Sequence, residues 1–210
     1  MEYVKIPNVF KREEGKKDNR LLEGVWSTPE LEYLRNRPWV WTEKVDGTNV
    51  RVMWDGYEVS FGGRTDKAQM PVHLVNRLNT LFGGDDKEET FESHFGQTPC
   101  ILFGEGFGEK IQSGAAYGPV DFILFDVFCG GMWLTRENVE KIAETFGIRC
   151  VPIVGSGPLP EAVEFIRAHP KSVLRDDIME GVVCRPAVEL ADRRGNRIIV
   201  KIKCRDFKEN

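Results

Sequence analysis

A chain of 210 residues is long enough for one sizeable core, one domain and a small appendage. With 41% hydrophobic and 30% charged residues it has the balance of an ordinary soluble globular protein. No apolar run approaches bilayer length, so no membrane partner is expected. A formal net charge of −4 argues against a surface that coats nucleic acid non-specifically; any polyanion must be held by a local basic site. The N-terminal stretch "MEYVKIPNVFKREEGKKDNR" lacks the apolar core of a signal peptide. Five scattered cysteines without CxxC spacing and three dispersed histidines (His73, His94, His169) suggest neither a disulfide framework nor a structural zinc site. A reducing, cytoplasmic location is expected.

In chain order, "KREEGKKDNR" (11–20) reads as a solvated loop. Thr28-Pro29 followed by "ELEYLRNR" combines a cap, a proline at the first helical position and early acidic residues, the pattern of a short helix. "WVWTEKV", "NVRVMW" and "YEVSF" are β-rich runs separated by Asp-Gly pairs, which predicts an antiparallel meander. "PVHLVNRLNTLF" (71–82) has helical periodicity, and "GGDDKEE" (83–89) reads as a second charged loop. "CILFGEGFG" and "DFILFDVF" are apolar runs of strand length, predicted to be buried on both faces. "TRENVEKIAETFG" (135–147) is an amphipathic helix capped by Thr135 and closed by Gly147, and "LPEAVEFIRAH" (159–169) is another. "MEGVVCRP" and "RIIVKIKCRDF" form two last strands around the polar turn "ADRRGN". Strands with irregularly interspersed helices favour an α+β fold of mainly antiparallel sheet with flanking helices over a doubly wound one.

Polar groups recur where a structural strand would be apolar. They are Lys44 in "EKVDGTN", Arg64 in "FGGRT", Glu105 in "FGEGFG", Glu180 in "MEGVV", and Lys201 with Lys203 in "IVKIK". Period-two alternation puts Lys201 and Lys203 on one strand face, and adjacent like charges are tolerated best beneath an anion. The glycines flanking Glu105 permit close backbone approach by a ligand. Each piece alone has a bland reading. Asp-Gly is a routine hairpin turn, "FGEGFG" lacks the strand–helix context of a dinucleotide fingerprint, and an isolated "KIK" is a strand with one wet face. Those separate readings leave the whole set unexplained.

Taken in order, the set resembles the covalent nucleotidyltransferase superfamily of polynucleotide ligases and mRNA-capping enzymes. "KVDG" is similar to its nucleophile motif KxDG, and "SFGGRT", "FGEGFG", "DFILFDV", "EGVV" and "VKIK" resemble the later motifs in the same order. "EKVDGTN" and "FGEGFGEKIQ" look most like the small ATP-dependent RNA ligases common in phage genomes, for which the location would be the host cytoplasm. The resemblance implies the ATP-grasp-like catalytic domain of ligases as a single nucleotidyltransferase domain over residues 1–210. Residues 1–38 would be an N-terminal extension, and no C-terminal OB domain is expected, because only residues 204–210 follow the last motif.

The implied reaction joins an RNA 3′-hydroxyl to a 5′-phosphate. Lys44 attacks the α-phosphorus of ATP to give a lysyl-AMP, and AMP then passes to the RNA 5′-phosphate. Attack needs a neutral amine, whereas an alkylammonium ordinarily titrates near 10.4. Lys201, Lys203 and a bound metal would favour the neutral form if they approach Lys44. By the resemblance, Glu43, Lys44, Arg64, Glu105, Phe125, Lys201 and Lys203 contact ATP. Within that set Glu105 would hold the ribose hydroxyls and Phe125 would stack on adenine. Glu180 would help hold Mg²⁺, with Mn²⁺ as a substitute, and Asn49 and Arg64 would meet the RNA ends. Asp46 either fixes the turn or faces the metal. With no OB domain, a partner protein or the chain's other segments would grip the RNA. The rival functions are a minimal ATP-dependent DNA ligase, a capping guanylyltransferase, and an inactive nucleotide- or RNA-binding module.

Overall fold

A computed structural model describes residues 1–13, 15, 19–112 and 114–207. Within "KREEGKKDNR", residues 14 and 16–18 lie outside the described residues, but its first two residues belong to a strand. In chain order the elements are β1 (Phe10–Arg12), β2 (Leu21–Trp26), α1 (Pro29–Leu34), β3 (Trp39–Glu43), β4 (Thr48–Trp54) and β5 (Val59–Gly63). Then come α2 (Val72–Phe82), α3 (Asp85–Phe95), β6 (Cys100–Phe107), β7 (Asp121–Cys129), β8 (Met132–Trp133) and α4 (Arg136–Phe146). The last are β9 (Arg149–Cys150), β10 (Ile153–Gly157), α5 (Leu159–Arg167), β11 (Gly181–Pro186) and β12 (Val200–Lys203). The fold is α+β with mainly antiparallel sheet, as the sequence predicts. No helix of the described residues is long and apolar enough to cross a membrane.

The chain forms two compact units. Unit 1 comprises Met1–Val4 and Asp46–Val151, and unit 2 comprises Lys5–Val45 and Pro152–Asn210. In unit 1 the strands run β5-β4-β6-β7-β8, with β9 parallel to β7. One face of this sheet carries Val50, Val52, Leu102 and Leu124 under α2, α3 and α4, which contribute Leu74, Leu78, Phe82, Phe91, Ile142 and Phe146 to one apolar core. In unit 2 the order is β10-β3-β11-β12, every pair antiparallel. Trp39, Trp41, Val182, Cys184, Val200 and Ile202 pack there against Leu159, Ala162, Val163 and Ile166 of α5.

Two sequence expectations are corrected. First, "WVWTEKV" and "NVRVMW" do not form a meander, because β3 pairs with β10 and β11 whereas β4 pairs with β5 and β6. Asp55-Gly56 is the hairpin turn, where the Asp55 carboxylate accepts from the Tyr57 and Glu58 amides. Asp46-Gly47 instead carries the chain from one sheet to the other. A Cβ on Gly47 would stand 2.3 Å from the Gly106 carbonyl oxygen and 2.9 Å from Cγ of Glu105, so glycine is required there for close passage across β6. Second, "GGDDKEE" opens helix α3 instead of forming a loop. Its acidic residues Asp85, Asp86 and Glu88 occupy the first turn, where the helix dipole favours negative charge, and Phe91 anchors the helix in the core.

The helices read from "PVHLVNRLNTLF", "TRENVEKIAETFG" and "LPEAVEFIRAH" are present, although the Thr135 side chain makes no capping bond. The last strand is confined to Val200–Lys203 and runs into a 3₁₀ turn, Cys204–Phe207. Gly47→Ala is expected to destabilise the protein by about 1–3 kcal/mol, because backbone of β6 cannot yield as a flexible side chain would. Urea unfolding checks this. A loss under about 0.5 kcal/mol, the usual surface value, would return Gly47 to the role of an exposed turn residue.

Candidate active site

Antiparallel order builds the site of unit 2. β3 and β12 both run opposite to β11, so the end of β3, the start of β11 and the end of β12 share one sheet edge. The register pairs Glu43 with Val182 and Gly181 with Lys203, and the Lys44 amide donates to the Gly181 carbonyl at 2.9 Å. Lys44, Glu180 and Lys203, far apart in sequence, therefore meet at this edge. Nζ of Lys44 lies 2.6 Å from one carboxylate oxygen of Glu180, and Nζ of Lys203 lies 2.5 Å from the other. A Cβ on Gly181 would fall 2.0 Å from the Ile202 carbonyl oxygen, so only glycine lets β11 approach β12 this closely.

Lys44 is 22% exposed, and Glu180 and Lys203 are each 14% exposed. Burial alone would push the Glu180 carboxyl up. The Lys44 charge and the hydrogen bonds from both lysines outweigh it and hold the carboxyl below its ordinary range. Alternation puts Val200 and Ile202 in the core and Lys201 and Lys203 on the opposite face, with Lys201 beside Val183, which in turn pairs with Thr42. Residues Pro7–Val9 cover the outer edge of β12: the Lys201 amide donates to Pro7 and its carbonyl accepts from Val9.

Glu43 faces the other way, into the core side of unit 2, and is 1% exposed. Its carboxylate accepts from the Ser172 hydroxyl and, at 2.9 Å, from the Val173 amide, while Ser172 Oγ accepts from the amides of Leu174 and Arg175. Glu43 thus ties down the segment that leads towards Glu180.

The remaining candidates lie in unit 1. Asn49 on β4 stands directly opposite Glu105 on β6, and both are partly exposed. The space beside the glycines flanking Glu105 is filled by protein, contrary to the sequence expectation of ligand approach. A Cβ on Gly104 would meet the Phe122 ring at 2.2 Å, and one on Gly106 would meet Leu74 at 2.5 Å. Those glycines serve packing on the core face, which leaves Glu105 on the opposite face by alternation. Phe125 sits at an irregularity in the β6–β7 pairing, where Phe103 pairs with Asp126 and Gly104 pairs with Leu124. It is the extra residue of a bulge, a device that re-aims a side chain. Arg64 lies exposed just past β5. The Asp46 amide donates to the Tyr117 hydroxyl at 3.1 Å, a contact consistent with fixing the crossover.

Sequence reasoning missed two buried charged residues on this second face of unit 1. Arg51 is 2% exposed and donates to Gly63, to Asp66 and to the Met1 carbonyl, while Asp126 is fully buried and accepts from Tyr3 at 2.8 Å. The only available signal was a charge within the strand runs "NVRVMW" and "DFILFDVF". Alternation with Val50 and Val52 places Arg51 off the core face but does not say that residues 1–3 cover it.

Among the described residues no cluster of three or more His, Cys, Asp or Glu side chains could hold a metal ion. A divalent cation here would take its ligands from one carboxylate, water and substrate phosphate, an arrangement that suits Mg²⁺, which keeps much of its hydration.

Comparison with solved structures identifies the fold. A variant of Naegleria gruberi RNA ligase with ATP and Mn is similar with a TM-score of 0.63 at 20% identity, covering 83% of this chain and 51% of that one. An apo variant of the same ligase has a TM-score of 0.64 at 17% identity, covering 98% and 60%, and the ligase with PPi has a TM-score of 0.63 at 22% identity, covering 83% and 52%. The chain therefore spans between half and two thirds of the length of these neighbours. No curated protein sequence matches significantly. The RNA ligase family matches residues 37–203, most of the chain, and the protein belongs to that family.

The low folded-state pKa of Glu180 has a consequence for stability. The sign follows from a depressed carboxyl: its contribution is complete above the unfolded value of 4.5 and is lost as pH falls through the lower folded value. Glu180→Gln is expected to cost about 1–3 kcal/mol at pH 7, because two ammonium groups lose their shared acceptor. The gap between wild type and variant should shrink below pH 4.5. Denaturant unfolding at pH 7 and at pH 3 measures both; a gap independent of pH would show that the carboxylate charge contributes nothing.

Proposed function

We propose that this protein is an ATP-dependent RNA ligase that joins RNA 3′-hydroxyl and 5′-phosphate ends through a lysyl-AMP and an RNA-adenylate. The observation that carries the reading is the single Glu180 carboxylate bonded to both Lys44 and Lys203. A purely structural sheet edge has no need to concentrate two ammonium groups and one carboxylate at so little exposure, since each desolvated charge carries a penalty. Family membership supplies the reaction class, and the neighbouring ligase's complexes with ATP and Mn and with PPi supply the substrate and metal classes.

In this reading Lys44 is the nucleophile. Its Nζ must release a proton to solvent and give up its bond to Glu180 before its lone pair can attack the α-phosphorus. An N–P bond forms, the P–O bond to the β-phosphate breaks, and pyrophosphate leaves. Lys201 and Lys203 carry positive charge along one strand face towards the departing phosphates. An oxygen of the RNA 5′-phosphate then takes AMP from Lys44, and the 3′-hydroxyl displaces AMP to seal the strand. Glu105 would hold the ribose hydroxyls, Phe125 would stack on adenine, and Asn49 and Arg64 would meet the RNA ends. Glu43 acts as an anchor for residues 172–175, a role in place of direct contact with the nucleotide. A Mg²⁺ or Mn²⁺ ion held by Glu180 would supply positive charge against the triphosphate. RNA repair in a cytoplasm, with the RNA gripped by other segments or a partner protein, fits an acidic chain whose basic groups are local.

Intact-mass measurement after incubation with ATP and Mg²⁺ tests the first step, and a panel of labelled RNA, DNA and hybrid ends tests the substrate. Wild type is expected to gain one AMP and to seal RNA. Lys44→Ala is expected to gain none and, because it removes one of the two partners of the Glu180 carboxylate, to lose about 1–2 kcal/mol of stability while still folding; full labelling of that variant would place the nucleophile elsewhere. Lys201→Ala and Lys203→Ala are each expected to slow single-turnover AMP attachment by orders of magnitude. Arg at either position should be a poor substitute for a compact point charge. Wild-type rates in both alanine variants would reduce these lysines to a solvated strand face.

A further inference from the structure

The first residues of the chain belong to unit 1 and are tied to the polar face of its sheet. The Met1 carbonyl accepts from the buried Arg51 guanidinium at 3.2 Å, and a Glu2 carboxylate oxygen accepts from the Asp66 amide at 3.2 Å. Tyr3 reaches furthest in. Its hydroxyl donates at 2.8 Å to Asp126, whose side chain is fully buried. Its ring lies 5.0 Å from Phe103, 5.1 Å from Phe125 and 5.7 Å from Trp133, centroid to centroid. The contact with Phe125 is edge-on at 73°, within the favoured range for aromatic pairs. Polar bonds at three successive residues and an aromatic frame thus hold this segment to the sheet.

Phe125 is the residue that this frame reaches. It lies at the bulge, where the register shifts, between Leu124 and Asp126, which are both registered against β6. Tyr3 is held at its hydroxyl by Asp126, the residue next to Phe125, and on its ring by Phe103 and Trp133, themselves 5.4 Å apart. It therefore transmits the position of the rigid ladder to the irregular residue beside it.

We propose that Tyr3 is a positioning residue for nucleoside binding: its clamped ring holds Phe125 in the rotamer that presents a face to adenine. This rests on the reading that Phe125 stacks on the base. A ring already held loses less conformational freedom when a ligand stacks on it, so Tyr3 acts on affinity and leaves the chemistry at Lys44 untouched.

The test is calorimetric binding of α,β-methylene-ATP to the full chain, with the single-turnover rate of AMP attachment at saturating ATP as a second readout. Tyr3→Ala is expected to weaken binding about three- to tenfold, the cost of ordering a side chain on association, with the saturated rate unchanged. Tyr3→Phe keeps the ring against Phe103, Phe125 and Trp133 but gives up the bond to Asp126, so it is expected to weaken binding less than Tyr3→Ala, by about two- to threefold; binding as weak as in Tyr3→Ala would overturn support by the ring. Phe125→Ala should also weaken binding, and adding Tyr3→Ala to it should weaken it no further. Wild-type affinity in Tyr3→Ala alongside weakened Phe125→Ala overturns the positioning role alone. Additive losses in the double variant overturn it too, because Tyr3 would then act independently of Phe125. Wild-type affinity in Phe125→Ala overturns the stacking reading itself.

Discussion

One carboxylate shared by two ammonium groups is the constraint around which unit 2 is arranged. Glu180 is pulled up by burial and down by Lys44 and Lys203, and the pair of cations wins. Such a triad is tolerable only as a complete set, since removing one member leaves charge poorly solvated at low exposure. Completeness in turn depends on register. A shift of one residue between β11 and β12 would send Lys203 to the core face and Ile202 to the wet one. Gly181 permits the close strand approach, and Glu43, turned inward, holds the segment preceding Glu180.

The same carboxylate that orders the edge also opposes the chemistry proposed for it. A nucleophilic amine needs a free lone pair, and at rest Nζ of Lys44 is bonded to a carboxylate oxygen 2.6 Å away. Nucleophilic attack therefore requires that the Lys44–Glu180 bond be given up. Arrival of a triphosphate, a new anion competing for both lysines, is the kind of event that redistributes these bonds.

Unit 1 solves a different problem. Its sheet is covered on one face by three helices over an apolar core, so the charged side chains of its strands lie on the other face. Glycines at 104 and 106 let Phe122 and Leu74 pack tightly on the core side, and the intervening Glu105 is left to the polar side. Arg51 and Asp126 are then buried on that polar side by residues 1–3, with hydrogen bonds offsetting much of the cost of desolvating them.

Much of this was legible in the amino-acid sequence, because local patterns carry it. Apolar runs of strand length identified β6 and β7, period-two alternation put Lys201 and Lys203 on one face of β12, and helical patterning identified α2, α4 and α5. The ordered run of polar motifs from Lys44 to Lys203 pointed to the family before any strand was paired. Other features depended on contacts distant in sequence. "WVWTEKV" and "NVRVMW" look alike as strands, and only their partners, β11 for one and β6 for the other, assign them to different sheets. The charged "GGDDKEE" reads as solvated until Phe91 is seen to need a core to enter. Glu43 and Glu180 are both carboxylates beside strand ends, yet one is consumed by a loop and the other by two lysines. Side-chain type and alternation determine which residues can share a face. Which distant strand brings its charge to that face, and which segment covers it, is decided by packing that no local window contains.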